Sequence, residues 1–167
     1  MPEHGVKWTA GQAMNFEITT QLGREERWFT ISSSPYERII SFTTHVSGSR
    51  FKQVLDALQI DDYITGGKPS GTFIWDHDDE RSKLLIAGGI GVTPYRSILR
   101  QLNHEGRQLS AVLLYFTPNE SPVFKADFDA LQSSHNELDI RYIISKPHTG
   151  HASIMHMVPD LSERRVY

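Results

Sequence analysis

Cysteine is absent from the 167 residues, which excludes disulfides, thiolate nucleophiles, thiolate-bound zinc and iron–sulfur clusters within this chain. Long apolar runs are absent too. Runs such as Leu84 to Ala87 and Ala111 to Phe116 fall far short of the roughly 20 residues that a membrane helix needs. Nor is there an excess of positive charge: 17 Lys and Arg stand against 20 Asp and Glu, a formal charge of −3, so a nucleic-acid backbone meets no broad basic field. The opening residues Met1-Pro2-Glu3-His4-Gly5 lack the basic and apolar regions of a secretion signal. These absences predict a reducing, cytoplasmic or cytoplasm-facing location, no nucleic-acid partner and no membrane segment in this chain. What remains is 38% hydrophobic and 22% charged residues, the proportions of a globular protein with a core of ordinary size.

The two halves of the chain carry different patterns. Across residues 12–76, Met14, Phe16 and Ile18 alternate with polar neighbours, and Arg27 to Ser32 and Ile39 to Val46 are rich in aromatic and β-branched residues, as antiparallel strands are. Gly23, Ser34-Pro35, Gly48 and Gly66-Gly67 punctuate them as turns, which predicts a small barrel or sandwich. Phe51, Val54, Leu55 and Leu58 stand at helical spacing, with Ser49 available as a cap. The charged stretch His77 to Lys83 reads as a solvated linker. Beyond it, Lys83 to Ala87, Ala111 to Phe116 and Ile140 to Ile144 are short apolar runs, as strands covered on both faces are. Helical stripes lie between them: Tyr95, Ile98, Leu99 and Leu102 after Thr93-Pro94, then Phe124, Phe128 and Leu131 after Ser121-Pro122. This β-α-β-α-β order predicts a doubly wound parallel sheet. Ala152 to Val158 is a weaker helix pattern, and Arg164 to Tyr167 reads as the start of another strand.

The segment Leu84 to Pro94 joins an apolar strand to a helix through Gly88, Gly89 and Gly91. Amides at a helix N-terminus favour a phosphate, and glycines let it approach closely. On these residues alone, the segment is either a pyrophosphate site or a bare glycine turn. Its order, Gly-Gly-x-Gly-x-Thr-Pro, is not the Gly-x-Gly-x-x-Gly fingerprint. In the first half, Arg27-Trp28-Phe29-Thr30 places Arg27 and Phe29 on one face of a strand and Trp28 and Thr30 on the other. An arginine fork, an aromatic plane and a hydroxyl form a plausible ligand set, although an ordinary exposed strand reads the same way. No Gly-x-Ser-x-Gly elbow or His-Glu-x-x-His pair occurs. The histidines His148, His151 and His156 follow no compact metal-ligand spacing, so no metal is expected.

In this order and separation the two segments resemble the ferredoxin–NADP(H) reductase superfamily, whose Greek-key flavin barrel carries Arg-x-Tyr-Ser and whose nucleotide domain opens with Gly-Gly-x-Gly-x-Thr-Pro. Ala10-Gly11-Gln12 and Gly67 to Phe73 resemble further family segments. The resemblance implies a fold of β plus α/β class. Residues 1–77 would be an incomplete antiparallel flavin barrel and residues 78–167 an NAD(P)-binding domain. It implies that Arg27 meets the flavin phosphate, that Phe29 lies against the flavin, and that the Thr30 hydroxyl faces the flavin N5 edge as the one catalytic residue. Thr44 and His45 match the strand along the flavin side chain. Ser49 and Lys52 match the phosphate-facing helix start, with Lys52 where serine is common. Gly88, Gly89, Gly91, Thr93 and Pro94 match the pyrophosphate loop, and Thr117 a nucleotide-side position. Ser145-Lys146 resembles the Ser-Arg pair that holds a 2′-phosphate. FAD and FMN, and NADPH and NADH, remain open at this level.

Hydride transfer between nicotinamide and flavin is the cofactors' chemistry, so the absence of an acid–base or nucleophile motif agrees with a flavin-dependent oxidoreductase. The alternative is a nucleotide-binding module without turnover, or an electron-transfer subunit active only in a complex. The family's first barrel strands and its nicotinamide-side Cys/Ser-Gly-Pro motif have no counterpart here. That predicts an internal piece of a longer polypeptide, such as one with a membrane redox domain, whose open barrel edge is covered by a partner, by a missing segment or by swapping into a dimer. The electron acceptor is not marked by any motif.

Overall fold

The structure, a computed structural model, describes residues 5–144, 154 and 156–167. In the first half β1 (Ala13–Thr20) pairs antiparallel with β2 (Gly23–Thr30) on one side and with β3 (Thr65–Gly66) on the other. Alternation along β1 turns Met14, Phe16 and Ile18 inward, where they pack with Ile31 and with Phe51 of α1 (Arg50–Asp56). Isolated bridges, Ala13 to Ser70 and Ile31 to Phe42, extend this antiparallel sheet.

The second half is the parallel sheet that the apolar runs predict. Its strands are β4 (Lys83–Gly88), β5 (Ala111–Thr117), β6 (Leu138–Ile144) and β7 (Arg165–Val166), in the order β6-β5-β4-β7. Leu85, Ala87, Leu113 and Tyr115 face α2 (Thr93–His104) and α3 (Lys125–Ser134). Leu84, Val112 and Leu114 face the other way, toward Val158, Met157 and Leu161. The chain steps outward from β4 to β6 and returns to β7 on the far side of β4. The carboxyl ends of β4 and β7 therefore flank a topological switch point, where open α/β sheets take their ligands.

Several expectations are corrected. Ile39 to Val46 forms no strand beyond the Phe42 bridge, because the Ser33 hydroxyl donates to the Ile39 carbonyl at 2.6 Å and accepts from the Ser41 amide at 3.0 Å. A side chain takes the place of a ladder partner. Ser49 precedes α1 but makes no side-chain cap bond, and the helix ends at Asp56, short of Leu58. Gly66 lies in β3 opposite Phe16 rather than in a turn. Phe124 precedes α3 in the left-handed region, φ 63°, and Lys125 begins the helix after a turn closed on the Pro122 carbonyl. The charged stretch is not wholly solvated: Lys83 is only 2% exposed. Its ammonium donates to the carbonyls of Asp79 and Arg81 and lies 5.6 Å from the Trp75 ring centroid. These partners replace water around the buried charge.

Candidate functional site

The glycine loop lies at the switch point. β4 ends at Gly88, Gly89 to Val92 make one 3-10 turn, and α2 begins at Thr93 with Pro94 in its first turn. Gly89 has φ +50°, a conformation that glycine adopts freely. A Cβ added at Gly88, Gly89 or Gly91 would meet nothing within 4 Å. The loop is thus open space over a helix N-terminus, a shape that fits a pyrophosphate. Thr93 is buried, and Tyr95 below it donates its hydroxyl to the Ile86 carbonyl at 3.1 Å, which ties the helix start to β4. Thr117, at the end of β5, is buried and donates to the Asn119 carbonyl at 2.5 Å. Ser145 and Lys146 lie outside the described residues, as do His148 and His151.

In the β half, Arg27 and Phe29 share a face as the alternation predicts. The Arg27 guanidinium stands 5.6 Å from the Phe51 ring centroid, and Phe29 stacks on Phe42 at 4.6 Å between centroids. Trp28 points the other way and is exposed. Arg27 is half exposed and engaged by acceptors of its own strand, the Glu26 carbonyl at 2.7 Å and the Glu25 carboxylate at 3.3 Å. Thr30 is half buried, and its hydroxyl makes no hydrogen bond among the described residues. Thr44 and Lys52 line one cavity of about 350 Å³ together with Phe42, Thr43, Val46, Leu55 and Asp56. His45 and Ser49 are exposed nearby in sequence and do not line it. A cavity of about 550 Å³ between Thr72–Asp78 and Arg165–Tyr167 contains none of the candidate cofactor-binding residues.

What joins the halves is a set of residues that the motifs do not mark. Beyond β2, Ser32, Ser33 and Ser34 are buried against α2. The Ser34 hydroxyl donates to the Ser97 carbonyl at 2.8 Å, and the Ser97 hydroxyl donates to the Ser33 carbonyl at 2.7 Å. Arg96 donates to the Ser32 carbonyl at 2.8 Å and pairs with Glu37 and Asp127. Burial alone would raise the Glu37 carboxyl, but hydrogen bonds from Arg96 and the Ser34 amide, with the charges of Arg96 and Arg100, hold its pKa below the ordinary value. Ala10-Gly11 closes the corner: a Cβ at Gly11, φ +95°, would stand 2.1 Å from the Phe73 carbonyl oxygen. The end of β2 and the start of α2 are therefore held in one rigid relationship.

Comparison with known proteins matches this arrangement. Residues 85–164 fit the family model described as "Oxidoreductase NAD-binding domain". The chain is 27% identical over 155 residues to the NAD(P)H-flavin reductase of Aliivibrio fischeri, covering 87% of this chain and 64% of that protein. It is 28% identical over 161 residues to ferredoxin–NADP reductase B of Sorangium cellulosum, covering 95% and 62%. The solved ferredoxin-NADP+ reductase of Plasmodium falciparum superposes with a TM-score of 0.74 at 22% identity, covering 86% of this chain and 60% of that one. Residues 85–164 thus match the NAD-binding family, and the chain as a whole is similar to ferredoxin–NADP reductases and NAD(P)H-flavin reductases. Its antiparallel sheet and its parallel sheet with helices match the two-part fold of the solved reductases. The chain spans less than two-thirds of the length of these relatives, and 35% of the reductase component 2 of the Comamonas terephthalate 1,2-dioxygenase, to which it is 28% identical over 121 residues. It also matches 13% of the length of the Ulva prolifera nitrate reductase. Among the described residues no helix is long and apolar enough to cross a membrane.

Proposed function

We propose that this chain is the reductase module of a flavin-dependent NAD(P)H oxidoreductase. One observation carries the reading: Arg96, in the first turn of the helix that opens from the glycine loop, bonds the Ser32 carbonyl two residues beyond Thr30. That bond ties the segment following Thr30 to the helix that opens from the glycine loop. FAD or FMN, when bound, supplies a ring that accepts a hydride from NADPH or NADH and passes electrons on. The chain's own residues bind and orient. Gly88, Gly89, Gly91, Thr93 and Pro94 offer open backbone and a helix N-terminus to the pyrophosphate. Arg27 and Lys52 supply cations for the flavin phosphate, and Thr44, His45 and Ser49 supply polar groups beside it. Phe29 borders the ring, and Thr30 offers it a hydroxyl. Thr117, Ser145 and Lys146 belong to the nucleotide end, residues 1–77 to the flavin half and residues 78–167 to the nucleotide half. The acceptor is a further redox domain or protein docked on this module, in keeping with its match to short parts of larger redox proteins.

The test is the visible spectrum of the purified protein after loading with FAD or FMN, followed by anaerobic addition of NADH and NADPH in separate cuvettes. Bleaching of the flavin bands by either nucleotide is expected. Arg27→Ala should weaken flavin binding by about 1.5–3 kcal/mol, the range for a hydrogen bond to a charged group. Unchanged retention removes Arg27 from the site. A second reading, a nucleotide-binding module without flavin turnover, draws on the Glu25 carboxylate, which already engages Arg27 at 3.3 Å and Arg50 at 3.5 Å. Nucleotide binding without flavin retention would select it.

A further inference from the structure

Arg96 makes most of the charged hydrogen bonds at the contact between the two halves. The Arg96 Nη1 donates to the Ser32 carbonyl at 2.8 Å and to Glu37 Oε2 at 2.9 Å, Nη2 to Glu37 Oε1 at 3.1 Å, and Nε to Asp127 Oδ2 at 2.7 Å. The Phe124 ring covers the guanidinium, with Cζ 5.1 Å from its centroid, and the side chain is only 12% exposed. One turn along α2, Arg100 donates to Asp127 Oδ1 at 2.8 Å and to the Tyr36 hydroxyl at 2.5 Å, and stands 3.8 Å from Glu37 Oε1. Two arginines and two carboxylates thus alternate across three segments: the turn after β2, the middle of α2, and the start of α3.

We propose that Arg96 is a positioning residue, which through Ser32 and Glu37 sets the gap between the end of β2 and the glycine loop at the start of α2. In the oxidoreductase read above that gap governs how far the bound nicotinamide stands from the flavin, so this role rests on that reading. A partly buried ion pair is a poor source of net stability, because desolvation offsets much of its attraction. A forked guanidinium is nevertheless a strong source of orientation: two parallel bonds to Glu37 fix an angle as well as a distance. Lysine offers a point charge on a flexible stem and cannot reproduce the contacts to Ser32, Glu37 and Asp127 together.

The chain has no cysteine, so cysteines placed at the exposed positions Leu22 and Asn136 take spin labels uniquely, one in each half. A narrow distance distribution is expected for the otherwise unchanged protein, and a broadened one for Arg96→Ala and Glu37→Gln, with Arg96→Lys between them. In flavin-loaded protein, the rate of flavin reduction at saturating nucleotide should fall about ten- to a hundredfold in Arg96→Ala, since a misplacement of about 1 Å costs on that order. The half-saturating nucleotide concentration should stay near the wild-type value, because the glycine loop is untouched. Far-UV circular dichroism reports whether each variant folds, and Glu37→Gln serves if Arg96→Ala does not. A distribution as narrow in the folded variants as in the parent overturns the assignment, with or without flavin. A parent protein that binds no flavin overturns the oxidoreductase reading instead, and the label distances still decide the role of Arg96.

Discussion

Ser34 and Ser97 close a two-bond clamp: the Ser34 hydroxyl donates to the Ser97 carbonyl at 2.8 Å, and the Ser97 hydroxyl donates to the carbonyl of the preceding residue, Ser33, at 2.7 Å. Both residues are fully buried. Ser97→Ala leaves the Ser33 carbonyl without that donor, and a buried polar group so stranded costs about 1–3 kcal/mol. Urea denaturation should show that loss for each single alanine variant. The double variant should lose less than the sum, since the two bonds belong to one contact. Losses below about 0.5 kcal/mol, the level of an ordinary surface change, would remove the clamp from the account of stability.

Gly91 separates binding from folding. A Cβ there meets nothing within 4 Å, and the residue sits in a 3-10 turn at an ordinary negative φ. Gly91→Ala should therefore keep thermal stability, changing it by less than about 1 kcal/mol, while the added methyl group obstructs a pyrophosphate approaching the loop. Gly89→Ala differs: its φ of +50° imposes a backbone cost of about 1–2 kcal/mol as well. Calorimetry alongside equilibrium binding of NADH and NADPH separates the two effects. Full nucleotide affinity in Gly91→Ala would place the phosphate elsewhere.

The parallel sheet and its glycine loop were legible because their causes are local. Unbroken apolar runs mark strands covered on both faces, and the stripe of Tyr95, Ile98, Leu99 and Leu102 marks the covered side of α2. The strand expected at Ile39 to Val46 failed because composition cannot show the Ser33 hydroxyl taking up the Ile39 carbonyl and the Ser41 amide. The clamp was hidden for a related reason, since its partners lie about sixty residues apart. One signal was nevertheless present. Arg96 and Arg100 stand at i and i+4 on α2, where like charges repel unless carboxylates from elsewhere face them. Glu37 and Asp127 are those carboxylates.

Glu37 gives the contact between the halves a pH dependence. Its folded-state pKa lies below the ordinary 4.5, because the bonds from Arg96 and Ser34 outweigh the opposing effect of burial. A depressed carboxyl binds its proton more readily in the unfolded chain. Its stabilising contribution is therefore complete above about pH 4.5 and is lost as pH falls through the folded value. Melting temperature measured from pH 6 downward should drop more steeply in wild type than in Glu37→Gln, whose amide does not titrate. Parallel curves would mean that other carboxylates govern the acid transition.

Asp61 offers a route to higher stability away from the site. It holds φ 76° as the third residue of a turn closed by the Asp62 amide donating to the Gln59 carbonyl at 3.1 Å, and that turn position favours glycine. The Asp62 carboxylate accepts the Gln59 amide at 2.6 Å and holds the turn shut whatever residue occupies position 61. Glycine relieves a left-handed penalty of about 1–2 kcal/mol, partly offset by its greater freedom in the unfolded chain. Asp61→Gly should therefore gain about 0.5 kcal/mol, a rise of about 1–2 °C for a protein of this size. Asp61→Ala should lose stability, because alanine keeps the Cβ and adopts the left-handed region less readily than aspartate does. Denaturation midpoints ordered glycine above aspartate above alanine support the strain at this turn. An alanine variant as stable as the parent rules it out.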